Sequence, residues 1–290
     1  MIRATKVELF RFCAIDQENI DTDRREAWKT IAKMHQQILN RVWQMWLVYH
    51  SANDSADKLR QHLDAWTAYK VDPKNKTKPV WPVQCVPEVL QKLIRKDVAK
   101  RFSSVNSRSA DLQIQKWKGS LTTRKAANGS LPGWVSILFA NEAVPSFTRP
   151  QPIPFDCRNG LLSSENGKLF LTLRIERLPG GTKKQKPSVV ERCELMLNRR
   201  KTNSVRTIVE RIIAGEYTFK GSSLVFDSIK GKWFASIAYE IPVEETPKLD
   251  SGKTIYLIPG KKSPWILKSV SNGKSDAWRF GGRGDHVTNF

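Results

Sequence analysis

The sequence predicts an α+β fold in which strand-forming segments at both ends enclose a helical one. Three observations carry this. Apolar residues between Arg24 and His50 recur at three- and four-residue steps, the mark of an amphipathic helix. In residues 2–15 and 216–242 they recur at every second position, the mark of strands with two unlike faces. Near Gly133 the helical pattern gives way to a strand-like one. At 290 residues with 40% hydrophobic side chains, the chain can bury cores for two or three modest domains.

Residues 2–15 read as a strand, with Thr5, Val7, Leu9 and Arg11 alternating against Lys6, Glu8, Phe10 and Phe12. Asp21-Thr22-Asp23 is expected to cap the long helix from Arg24 to about His50, whose apolar face is Ala27, Ile31, Met34, Ile38, Val42, Met45 and Tyr49. After a break at residues 51–55, a second helix is expected over 56–69, with Leu59, Leu63 and Trp66 on one face. A basic, proline-punctuated loop covers 72–82. Pro87 opens a third helix near 87–103, with Leu90, Ile94 and Val98 apolar and Lys92, Arg95, Lys96, Lys100 and Arg101 opposite. A fourth helix is expected over 107–117, after which Lys116, Lys118, Arg124 and Lys125 flank Trp117 in a Gly- and Ser-containing loop.

The apolar run Trp134–Phe139 is read as a strand. Prolines 145, 150, 152 and 154 punctuate a loop, and Phe155–Leu162 and Lys168–Ile175 form a hairpin turning at Asn166-Gly167. The loop Pro179–Pro187 is basic, but its Gly-Gly-Thr-Lys lacks the spacing of a phosphate-binding loop. Val189–Leu197 is read as a strand. Ser204 caps a short helix with Val205, Ile208, Val209 and Ile212 apolar, and Gly215 ends it. Arg199, Arg200 and Lys201 stand just before that helix, where its dipole disfavours cations, so an anionic partner is expected for them. The last hairpin sets Leu224 and Phe226 against Trp233, Ala235, Ile237, Tyr239 and Ile241, with Gly231 supplying a positive φ in the turn.

Charge narrows the function. Lys and Arg outnumber Asp and Glu by 49 to 28, a net charge of +21 that suits a polyanionic partner. Ten tryptophans are numerous, and those in basic surroundings (Trp66, Trp117, Trp233, Trp278) are candidates to stack on bases. The four cysteines are widely spaced with no Cys-x-x-Cys pair, so neither a zinc site nor any other cofactor is expected. The N-terminus has no secretory apolar region and no run is long enough to span a membrane, so a reducing cytoplasm is expected. The histidines (His35, His50, His62, His286) accompany no nucleophile motif, and no catalytic residue is identified.

One stretch carries a resemblance. Gly221-x-x-Leu-x-Phe-Asp227, then Lys230-Gly-Lys-Trp-Phe-x-x-Ile237, a linker, and the strand Thr254–Gly260 resemble the junction between the wedge and RuvC domains of type V CRISPR effectors and TnpB nucleases. Ser263–Val270 and Ala277–Phe280 match the second and third RuvC strands, and Gly281–His286 the glycine-rich turn after them. The resemblance implies a β-barrel wedge domain (1–16 and 129–248) with a helical recognition lobe inserted at 17–128, and the start of a RuvC (RNase H-like) domain at 249–290. In that family the first RuvC strand reads roughly Gly-Val-Asp-x-Gly, and its Asp is a metal ligand. Here Ile258 stands in that place, and an isoleucine offers Mg²⁺ no oxygen. Asp250, Asp276 and Asp285 are expected in loops, and no metal site is assigned.

The function implied is RNA-guided DNA binding without cleavage, acting by occupancy or recruitment. The partners implied are a guide RNA, target double-stranded DNA containing a short motif, and a further protein chain or a C-terminal nuclease region. RNA contacts are assigned to Arg3, Lys6, Arg11, Arg199, Arg200, Lys201, Lys220, Lys230, Lys232 and Trp233. Contacts to DNA or the heteroduplex are assigned to Trp66, Tyr69, Lys70, Lys92, Lys96, Lys116 and Arg124. Two other readings fit the residues: the N-terminal part of an active RNA-guided endonuclease, and a generic basic RNA-binding protein.

Overall fold

A computed structural model describes residues 2–12, 20–71, 80–126, 131–178, 188–196, 202–242, 254–258, 265–271, 274–280 and 287–289. The chain divides into two compact units, Met1–Pro242 and Val243–Phe290.

The first unit begins with β1 (Ile2–Phe12) and α1 (Ile20–Ala52). The face expected of α1 is the one that buries: Trp28, Ile31, Ile38, Val42 and Trp46 lie inside. Asp21–Asp23, expected as its cap, fall within its first turn instead. The single helix expected over 56–69 is two, α2 (Ser55–Arg60) and α3 (Leu63–Val71). His62, expected on a helix, sits in the turn between them, where its N–H bonds Leu59 O at 3.1 Å in a tightened, three-residue step. α4 (Glu88–Arg101) starts at Pro87, whose missing N–H costs nothing at a helix start. α5 (Ser107–Thr123) is capped by Asn106 Oδ1, which accepts from Arg108 N at 2.9 Å, and it runs six residues past the expected end. Trp117 is therefore a buried helical residue and not part of a loop.

Residues 133–138, expected as a strand, form the helix α6 (Gly133–Leu138). A short apolar run reads alike for a buried strand and a buried helix. Here Trp134, Val135 and Ile137 are all buried, and the backbone is satisfied locally, as by Phe139 N donating to Val135 O at 3.0 Å.

Then follow β2 (Ile153–Phe155), β3 (Gly160–Glu165), β4 (Lys168–Leu173), β5 (Glu191–Met196), α7 (Thr202–Ile213), β6 (Thr218–Phe219), β7 (Ser222–Asp227) and β8 (Lys232–Glu240). Ser204, expected as a cap, lies inside α7, while Gly215 takes φ +80 just beyond its end. The β3–β4 turn is the two-residue Asn166-Gly167, with φ of 49° and 72°, as this pair favours. The strands form one antiparallel sheet in the order β2-β7-β8-β1-β5-β4-β3, with β6 on β8. β1 is central: Ile2–Glu8 pairs with β8, Glu8–Phe12 pairs with β5, and the register shifts between Leu9 and Arg11. Among the described residues the path does not close, so the expected barrel is an open sheet. Its end strand β2 is three residues long and contains Pro154, which has no N–H for a further neighbour.

Helices and sheet share a core. Trp28 of α1 meets Trp233 of β8 edge-on, with ring centroids 5.4 Å apart. Beside them Glu191 of β5, buried, accepts from Trp28 Nε1 and from Arg24 Nε, the latter at 2.6 Å. Arg24 also pairs with Glu176 at 2.8 Å. Ser109 of α5 donates to Pro154 O at 2.7 Å and bonds His35 Nε2 at 3.1 Å, tying α1, α5 and β2 together.

The second unit is an antiparallel meander, β9 (Thr254–Ile258), β10 (Trp265–Ser271), β11 (Lys274–Phe280) and β12 (Val287–Asn289), in the order β12-β11-β10-β9. Ile258 pairs with Ile266. Asp276 lies in β11 opposite Ser269 and not in a loop. Asp250, Asp285 and the glycine-rich turn at 281–286 lie outside the described residues.

Candidate nucleic-acid interface

α4 and α5 form an antiparallel pair. Arg95 Nε donates to Asp111 Oδ1 at 2.9 Å, and Lys118 Nζ to Gln91 Oε1 at 3.1 Å. Leu90, Ile94 and Val98 turn inward. The helical period therefore puts Lys92, Lys96 and Lys100 outward, together with Val89 and Leu93, which are exposed. Lys96 and Lys100 on α4 and Lys116 on α5 are exposed and have no side-chain partner among the described residues. Lys92 pairs with Glu88 at 2.8 Å, but both are exposed, and such a pair adds little that a phosphate could not replace. Arg124 pairs with Glu142 at 3.2 Å. Arg101 is held differently. It shares Asp97 with Arg41, whose hydrogen bond keeps that carboxyl below the usual carboxylate range.

At the tip of the β7–β8 hairpin, Asp227 Oδ1 accepts from Ile229 N at 3.2 Å and Lys230 N at 3.1 Å. Gly231 takes φ +62 there. Lys230 lies 3.9 Å from Asp227 Oδ2, and Lys232 is exposed. Lys220 pairs with Glu240 at 2.6 Å. Arg3 is exposed on β1.

Two aromatic assignments are corrected. Trp233 is 1% exposed between Trp28 and Phe226, so its ring has no face to offer an RNA base. Trp66 is 9% exposed and stacks, tilted by 35°, on Trp81 with centroids 4.9 Å apart, so it is a packing residue and not a stacking platform for DNA. The side chains of Lys6, Arg11, Tyr69, Lys70 and Trp278, and residues Arg199, Arg200 and Lys201 altogether, lie outside the described residues.

Sequence reading passed over Lys33, Arg174 and Arg177, cations outside the core with no side-chain partner among the described residues, and the exposed Arg158, which lies near the Asp156 carboxylate. A signal existed for Arg174: Leu169, Leu171, Leu173 and Ile175 bury, so the period of two places residue 174 outward. His35, His50 and Cys85 are packed, not presented. Burial pushes His35 down to about 3 and the Cys85 thiol up to about 12. His50 is lowered by burial although it bonds Cys85 O at 3.0 Å. The described surface thus offers dispersed cations suited to a phosphate backbone.

No protein-family profile matches the chain. It is 27% identical over 135 residues to the CRISPR-associated endodeoxyribonuclease Cas12f1 of Sulfoacidibacillus thermotolerans, covering 46% of this chain and 31% of the relative. The matched stretch thus spans about a third of that relative's length. Two solved structures are similar at 13% identity. One is a cryo-EM structure of a Cas12f1-sgRNA-target DNA complex, with a TM-score of 0.44 over 97% of this chain and 66% of that one. The other is a cryo-EM structure of a CRISPR-Cas12f ternary complex, with a TM-score of 0.47 over 96% of this chain and 66% of that one. No helix among the described residues is long and apolar enough to cross a membrane.

Proposed function

We propose, from a chain similar over nearly half its length to a type V CRISPR effector, that it binds a guide RNA and through it target double-stranded DNA, without cutting that DNA. The observation that carries this reading is the 135-residue similarity to a CRISPR-associated endodeoxyribonuclease. The charge of +21 and the unpaired lysines of α4 and α5 support it, because a guide and its target are recognised mainly through their backbones. The hairpin cations Lys220, Lys230 and Lys232, with Arg3, Lys6, Arg11 and Arg199–Lys201, take the RNA. Lys92, Lys96, Lys116 and Arg124, with Tyr69 and Lys70, are assigned to the DNA beside its short motif. Ile258 on β9 argues against cleavage, since Mg²⁺ needs hard oxygen ligands. Bound to its target in a prokaryotic cytoplasm, the protein acts by occupancy or by recruiting a further chain.

The test is to sequence the RNA that copurifies with the protein from its native host. One discrete RNA, with a constant scaffold and a variable guide segment, is expected. The protein loaded with it should retard duplex DNA carrying the matching sequence and leave that DNA intact in Mg²⁺. A heterogeneous pool of cellular RNA, or none, would replace this reading with generic RNA binding. Cut DNA would return the chain to the nucleases.

A further inference from the structure

A cavity of about 240 Å³ lies between α4, α5 and the segment after β4. Its construction follows from local bonding. The α4–α5 connection runs beside residues 175–177: Asn106 N donates to Ile175 O at 2.9 Å, and Arg177 N to Ser104 O at 2.7 Å. Val105 and Glu176 form a β-bridge there. The floor is apolar, built from the buried residues Val98, Val105, Ala110 and Ile114. Phe102, half-buried, and Ala99, exposed, stand at the sides. Arg95 and Arg177 mark the rim. Asp111 holds Arg95 at 2.9 Å, whereas the Arg177 guanidinium has no partner among the described residues.

We propose that this cavity receives one unstacked nucleobase of a bound strand, with Arg177 and Arg95 on the adjoining phosphate. The inference rests on the nucleic-acid-binding reading above and adds a specific seat to it. Three features select this occupant. The volume is below the roughly 300–1,000 Å³ of sites for larger small molecules, so it suits a single ring system. The floor is apolar beside an aromatic ring, and a base turned out of its stack gains most from such contacts. The rim carries two cations, one of them uncompensated, where a nucleotide carries its anion. A neutral apolar ligand would leave Arg177 without use.

The experiment uses the full chain and four fluorescent twelve-nucleotide probes: single-stranded RNA, single-stranded DNA, and each backbone with its central bases removed. Ala99→Phe fills the mouth from an exposed position, and Ala99→Leu is the smaller filler that decides the matter if the first variant does not fold. Arg177→Ala removes the free cation. Filling the mouth should weaken binding of a base-bearing probe about tenfold and leave its abasic counterpart unchanged. Arg177→Ala should weaken both kinds of probe. Whichever base-bearing probe responds to filling, RNA or DNA, identifies the strand that supplies the base. Unchanged affinity on filling, or an equal loss on the abasic probes, overturns the seat while nucleic-acid binding stands. A wild-type protein that binds none of the probes overturns both readings.

Discussion

His35 makes the fold sensitive to mild acid. It is wholly buried in α1, with its Nε2 3.1 Å from Ser109 Oγ. That hydroxyl gives its one proton to Pro154 O at 2.7 Å, so it can only accept from the imidazole. The ring is therefore neutral with its proton on Nε2, and Nδ1 is buried with no partner. Burial lowers its pKa from 6.5 to about 3. Below pH 6.5 the unfolded chain takes up a proton that the folded protein refuses. Stability is thus intact above pH 6.5 and is lost progressively as the pH falls toward 3. At about 1.36 kcal/mol per pH unit, the loss between pH 7.5 and 5 is roughly 2 kcal/mol, rising to about 4 kcal/mol at pH 3. The carboxylates of Asp97 and Asp156, whose pKa values lie below the ordinary 3.8, do not titrate in the upper part of that window. His50 is lowered too, but its contribution is common to any comparison at residue 35. Urea unfolding at pH 7.5 and pH 5.0 of the wild type and of His35→Gln is the assay. The glutamine amide can still donate to Ser109 but takes up no proton. The wild type should lose about 2 kcal/mol more than the variant over that interval. Equal losses would refute the assignment of a buried neutral imidazole.

Other perturbations separate scaffold from surface. Trp233→Ala should destabilise the fold by about 3–5 kcal/mol in denaturant unfolding, because it empties the space between Trp28 and Phe226. A fully stable variant defective only in RNA binding would return that ring to the RNA interface. Arg24→Ala should cost about 3 kcal/mol, since it leaves the buried Glu191 carboxylate without its cation; a Tm unchanged from wild type would contradict that pairing. Lys96→Gln with Lys116→Gln should leave stability unaltered and reduce the slope of log affinity against log salt by roughly one per lysine. An unaltered slope would remove both from the interface. Gly167→Ala, at φ +72, should cost about 1 kcal/mol in the β3–β4 turn, read from the urea midpoint.

Sequence periodicity by itself determined the elements whose faces are long or whose turns are chemically distinctive. Over its 33 residues α1 repeats its apolar positions too many times to be anything but an amphipathic helix. Asn166-Gly167 and Gly231 mark their hairpins because few other residues accept positive φ. The surplus of lysine and arginine, read from composition, indicates a polyanionic partner, and the helical pattern places Lys96 on the outer face of α4, whereas Lys116, read as a loop residue, is exposed on α5.

What the tertiary structure decided is everything that depends on who lies opposite. The six-residue α6 reads like a strand until its surroundings offer no strand to pair with. Trp66 and Trp233 carry basic neighbours in sequence, yet Trp81 and Trp28 cover them in space. The cavity beneath Arg177 exists only because the segment after β4 crosses the α4–α5 connection. Local pattern is set by bonds within a few residues, whereas burial and cavities are set by contacts between segments tens to hundreds of residues apart, which no periodicity encodes.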